Sequence, residues 1–138
     1  MKILALDGIA PEGIACLEKQ GLTVDQKPSQ TEAELIQIIP SYSGLLVRSG
    51  TKVTAKVLAA AENLRVIGRA GVGVDNIDLE EATRRGIQVV NSPNGNTVAA
   101  AEHTMALLLA LARNVPCAHA RLKEGCWDRK SFSGVELA

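Results

Sequence analysis

The chain has 138 residues, enough for one domain of ordinary size or one domain and part of another. Apolar residues make up 46% of it and aromatic residues only 2%, so a real core is available and it must be aliphatic. Fifteen Lys and Arg balance fifteen Asp and Glu, and with so few stacking rings this argues against a nucleic-acid binder.

In chain order, residues 3–6 are a short apolar run ending at Asp7-Gly8, which reads as a buried strand meeting a loop. Residues 11–20 follow as a helix, with Pro11 suited to its first turn and Gly21 to its stop. A second strand is expected at 22–25. Ser29 or Thr31 can cap the next helix, which turns Leu35, Ile36 and Ile39 to one side. A third strand at 44–47 ends in Arg48-Ser-Gly-Thr51, and Thr54 caps a helix with Val57, Leu58 and Ala61 inward. The fourth strand, 64–68, runs into Gly68-Arg-Ala-Gly-Val-Gly-Val-Asp-Asn-Ile-Asp78. Asp78 with Glu81 forms a capping-box pattern, and its helix stops at Gly86. A fifth strand, 87–90, ends in Asn91-Ser-Pro-Asn-Gly-Asn-Thr97.

Strand and helix alternating to five strands is the signature of an α/β parallel sheet covered on both faces. A flavodoxin-like, doubly wound, five-stranded order is expected, with ligands beyond the carboxyl ends of the strands. Those ends carry the polar and glycine-rich residues.

The glycine stretch is not a dinucleotide fingerprint. Gly71-Val-Gly73 supplies half of Gly-x-Gly-x-x-Gly, but position 76 is Asn and the loop follows the fourth strand. It could be a plain turn. A better fit is a loop whose backbone N–H groups hold a carboxylate or phosphate, with Arg69 adding a bidentate cation. Arg48, at the end of the third strand, either reaches solvent or joins Arg69 in an anion site. Asn96 or Thr97 can cap the helix that follows, and Asn96 either only caps it or also faces a ligand.

That helix, 98–113, is apolar all round in its second half and needs cover that the five-stranded unit does not offer. After Pro116 the chain turns polar and holds its only Trp, Trp127, on what reads as an arm. It ends without a closing element, so the chain is expected to continue into another domain. Cys16, Cys117 and Cys126 lack zinc or redox spacing and read as reduced thiols of a cytoplasmic protein. The N-terminus lacks a signal-peptide pattern, and the longest apolar run, 105–112, is too short to span a bilayer. No metal site is indicated.

Four segments occur in order: Val47-Arg-Ser-Gly-Thr51, the stretch from Gly68 to Asp78, Asn91-Ser-Pro-Asn-Gly-Asn-Thr97, and Ala100-Ala-Glu-His103. Together, and with Trp127-Asp-Arg-Lys130, they resemble the N-terminal part of the D-2-hydroxyacid dehydrogenases over essentially the whole chain. The resemblance implies a two-domain, NAD-dependent oxidoreductase. Residues 1–97 would be its substrate-binding domain, and 98–138 the linking helix and the start of a Rossmann-type NAD domain. The family's glycine fingerprint and its catalytic Arg, Glu and His would lie beyond Ala138, and neither His103 nor His119 matches the catalytic one. Gly71 and Gly73 would hold the substrate carboxylate and Val72 would touch the nicotinamide. Arg48 and Arg69 would bind the substrate's anionic groups, and Asn96 would face the reacting end. Arg129 would reach a neighbouring subunit's site, in a homo-oligomer built through helix 98–113 and the arm 114–134.

The two arginines favour a doubly charged, phosphorylated substrate over a glyoxylate- or hydroxypyruvate-reducing member. A non-catalytic corepressor of the same fold stays open. A receiver domain is disfavoured, because Asp7 stands alone and the third strand ends in Arg48.

Overall fold

The computed structural model describes residues 1–137. Five strands, β1 (Lys2–Ala5), β2 (Thr23–Gln26), β3 (Gly44–Val47), β4 (Val66–Arg69) and β5 (Gln88–Asn91), form one sheet. All pairings are parallel, in the flavodoxin-like order β2-β1-β3-β4-β5. Every strand lies within two residues of its sequence-based position. Between them run α1 (Pro11–Lys19), α2 (Glu32–Ile38), α3 (Ala55–Ala60) and α4 (Leu79–Arg84). A short 3-10 turn, Ile39–Ser41, extends α2 where Pro40 ends regular helix.

The core is aliphatic as expected. Leu4, Leu6, Leu35, Leu45, Leu58 and Ile67 are completely buried. Burial on both faces holds for the central strands but fails at the edges, where β2 and β5 have no buried residue. The one buried aromatic, Tyr42, keeps its hydroxyl partnered by donating to Asp25 (2.7 Å).

Local signals explain the helix ends. Thr31, not Ser29, caps α2: its hydroxyl accepts from the Glu34 N–H, and the Glu34 carboxylate accepts from the Thr31 N–H. Thr54 caps α3. At α4 only half of the expected box forms: Asp78 accepts from the Glu81 N–H at 3.0 Å, but the Glu81 carboxylate accepts from Arg84 and Arg85 instead. Gly21 and Gly86 leave their helices with φ of +77° and +71°, a region that a side chain disfavours.

The chain divides after Gly95 into two compact units. The second begins at Asn96 and holds α5 (Thr97–Ala112) and α6 (Val115–Lys123), followed by an irregular tail. No residue of α5 is buried. The cover that its apolar sequence demands is not supplied by the described residues. The arm expected after Pro116 begins instead as a helix, α6. Pro116 sits in its first turn, after an Asn114 in left-handed conformation, and Arg121 and Lys123 lie in its last turn, where cations suit the helix dipole. The tail returns to α5 through the Val135 N–H, which donates to the Ala112 carbonyl at 2.8 Å.

Candidate anion-binding site

The parallel register sets Val47 beside Arg69 and Arg69 beside Asn91, so Arg48 and Arg69 leave adjacent strands on one rim. Arg48 is exposed, Arg69 half-buried, and neither guanidinium enters an ion pair among the described residues. The Arg69 Nε is buried and lacks a hydrogen-bond acceptor.

Arg69 lies directly over the glycine loop. A Cβ on Gly71 would overlap its guanidinium, so glycine at this position makes room for the cation. The loop is held from several sides. The Ala70 N–H donates to the Val47 carbonyl and the Gly71 N–H to the Arg69 carbonyl, each at 2.9 Å. The fifth-strand end supplies the rest: the Ser92 N–H donates to Gly71 O (3.0 Å) and the Asn91 amide to Val72 O (2.6 Å). The Val72 and Gly73 N–H groups donate to no protein acceptor among the described residues. Two free amides beside a fixed cation make a cradle for an anion. The Val72 side chain, 40% exposed, stands at the same place.

The loop after β3 is built differently. Asp7, at φ +61°, turns its carboxylate onto it. Asp7 Oδ2 accepts from the N–H groups of Arg48 (2.9 Å) and Thr51 (3.0 Å); Oδ1 accepts from the hydroxyls of Thr51 (2.6 Å) and Ser29 (2.7 Å). Burial alone would raise its pKa, but these bonds from Thr51, Ser29 and Arg48 outweigh burial and hold the carboxyl below its ordinary value. Asn76 closes the other side, its amide donating to the carbonyls of Arg48 (2.8 Å) and Thr51 (2.7 Å). That pattern fixes the orientation of the amide, since a flipped oxygen would face two carbonyls. It also shows why position 76 is not glycine.

Nothing in the sequence alone gives Asp7, Thr51 or Asn76 a role at the site. Asp7 was visible at a strand end, and Thr51 and Asn76 lay inside quoted segments, but their pairing across 44 and 25 positions needs the fold. The remaining candidates belong to the second unit. Asn96 occupies the N-cap position of α5, yet its side chain makes no capping bond. Arg129 is exposed in the tail, beside an Asp128 whose carboxylate accepts from the N–H groups of Lys130 and Ser131.

A family model for the D-isomer specific 2-hydroxyacid dehydrogenase catalytic domain matches residues 3–134. The chain belongs to the D-2-hydroxyacid dehydrogenase family. Within that family it is 53% identical over 137 residues to the D-3-phosphoglycerate dehydrogenase of Archaeoglobus fulgidus, covering 99% of this chain and 26% of the relative. It is 51% identical over 136 residues to the human D-3-phosphoglycerate dehydrogenase, with the same coverage. The chain thus spans about a quarter of the length of the curated relatives it matches. Among solved structures it resembles the TT0316 protein of Thermus thermophilus, with a TM-score of 0.86 and 33% identity over 99% of this chain and 46% of that one. It also resembles the NAD-dependent formate dehydrogenase of Staphylococcus aureus in complex with NAD, with a TM-score of 0.83 and 29% identity over the same shares. No helix among the described residues is long and apolar enough to cross a membrane.

Proposed function

We propose that these residues form the substrate-binding part of an NAD-dependent D-3-phosphoglycerate dehydrogenase, which oxidises 3-phospho-D-glycerate to 3-phosphohydroxypyruvate for serine biosynthesis in the cytoplasm. The observation that carries this reading is the pair of unpaired arginines at adjacent strand ends, one of them packed over a loop with two free amides. Such a site suits a small molecule with an anion at each end. The relatives named D-3-phosphoglycerate dehydrogenase, identical at half of the aligned positions, support the same substrate.

The substrate carboxylate sits on the Val72 and Gly73 amides, flanked by Gly71 and Arg69. Arg48 binds the phosphate end, and Asn96 is assigned to the reacting end by the family resemblance alone. Residues 1–97 serve as the substrate domain, and 98–138 lead into the NAD domain. The exposed Val72 side chain between two glycines offers an apolar surface suited to a nicotinamide face. No Gly-x-Gly-x-x-Gly occurs in the sequence, so its residues give the cofactor's pyrophosphate no cradle. NAD, when bound, supplies the hydride acceptor; these residues bind and orient the hydroxy acid and provide no acid–base group. Helix α5 and the arm with Arg129 meet a second subunit.

The test is a steady-state assay of the full-length enzyme carrying this segment, with NAD and 3-phospho-D-glycerate. Efficient oxidation is expected, and none by the folded 138-residue chain alone. A full-length enzyme that prefers glyoxylate or hydroxypyruvate with NADH, or that turns over none of these, would contradict the assignment.

A further inference from the structure

Both backbone polar groups of Arg48 are clamped by side chains distant in sequence. Asp7 holds its N–H and Asn76 its carbonyl, while the guanidinium carries no partner. Asp7 is the centre of the clamp. β1 lies beside β3 in the sheet, so the residue two positions past β1 faces the turn that follows β3. Its left-handed backbone aims the carboxylate sideways into that turn. The turn wraps closely: a Cβ on Gly50 would stand 3.0 Å from Asp7 Oδ1. Thr51, 1% exposed, gives Asp7 both its N–H and its hydroxyl. All four bonds to the carboxylate come from this turn and from Ser29, and its visible task is to fix the backbone from which Arg48 projects.

We infer that Asp7 is a positioning residue for substrate recognition, acting through the backbone of Arg48. The inference rests on the proposed role of Arg48 as a ligand for the substrate's anionic end. It carries a distinctive sign. A carboxylate near an anion site repels the anion, so removing its charge by electrostatics alone lowers KM. Loss of positioning raises it. Asp7→Asn is a poor probe, because its oxygen can accept from the two N–H groups while its NH2 donates to the two hydroxyls, which also accept. Asp7→Gly removes all four bonds and tolerates the left-handed backbone, which frees the turn.

In the full-length enzyme, Asp7→Gly is expected to raise KM for 3-phospho-D-glycerate on the order of tenfold, with kcat and the KM for NAD little changed. Thr51→Val, which removes only the hydroxyl bond, is expected to move KM the same way by a smaller factor and serves if Asp7→Gly fails to fold. In an Arg48→Ala background, Asp7→Gly is expected to add nothing further to KM, because the residue acts through Arg48. If Arg48→Ala leaves KM unchanged, the substrate reading of Arg48 fails and this inference falls with it. If Arg48→Ala raises KM but Asp7→Gly and Thr51→Val leave it unchanged or lower it, the inference alone is overturned. It is likewise overturned if the Asp7→Gly effect persists undiminished without Arg48.

Discussion

Arg69 and Gly71 act as a pair, because the guanidinium occupies the space that a side chain on residue 71 would fill. Gly71→Ala must push Arg69 off the loop while leaving the sheet intact. In the full-length enzyme it should raise KM for the anionic substrate on the order of tenfold, with the thermal midpoint nearly unmoved. A fall in stability with KM unchanged would show the glycine to be a packing requirement only. A second residue gives a pH signature. Burial, then the hydrogen bond and charge of Asp25, push the Tyr42 hydroxyl up to about 12. Its proton is therefore held more tightly in the folded state, so its contribution is complete below about pH 10 and is lost as pH rises toward 12. Tyr42 is the only tyrosine, so ultraviolet titration of the folded chain reads it alone. A phenolate appearing near the ordinary pH of about 10 in folded protein would contradict this, as would an alkaline loss of stability unchanged in Tyr42→Phe. Legibility in sequence differed by residue. Arg48 and Arg69 were visible because an arginine directly after an apolar strand marks the rim. Asp7 was not, because its partners lie 41 and 44 residues away.

At the scale of elements, short-range signals were readable wherever they act within one turn. Thr31, Thr54 and Asp78 cap the helices for which their sequence patterns speak. Asp78→Ala should therefore destabilise the chain by about 1 kcal/mol, measured as a lower urea midpoint at unchanged slope. An unchanged midpoint would mean that water replaces the cap without loss. Two elements were not legible. The turn at Ile39–Ser41 depends on Pro40 ending α2 while the chain still curls, and α6 is read as part of an arm although Pro116 at its start and Arg121 and Lys123 at its end are helix signals. The exposure of β5 residues such as Val90, at 45%, goes against the reading of its apolar run as buried on both faces, although the expected strand order already puts β5 at an edge.

The whole molecule joins a well-buried α/β unit to a second unit whose long helix is apolar and bare. Leu107 and Leu111 of α5 are 57% and 77% exposed, and Val98 is 69% exposed. An exposed apolar face of this kind is expected to be an interface. The 138-residue chain is expected to self-associate in sedimentation experiments, and Leu107→Lys with Leu111→Lys to shift it toward monomer. A stable monomer at high concentration would contradict that. Strand–helix alternation makes the parallel sheet legible, whereas no described residue covers α5 and its sequence does not say what would. On the proposed function, Arg48 and Arg69 read a doubly anionic hydroxy acid. The most direct measurement is the KM of full-length Arg48→Lys and Arg69→Lys enzymes for 3-phospho-D-glycerate and for a 2-hydroxy acid with an uncharged tail. Lysine keeps the charge but loses the bidentate fork. The expected result is a KM raised on the order of tenfold for the phosphorylated substrate in both variants, with NAD affinity unchanged, and only Arg69→Lys affecting the uncharged-tail acid. Unchanged KM in both variants, with lowered stability, would contradict it.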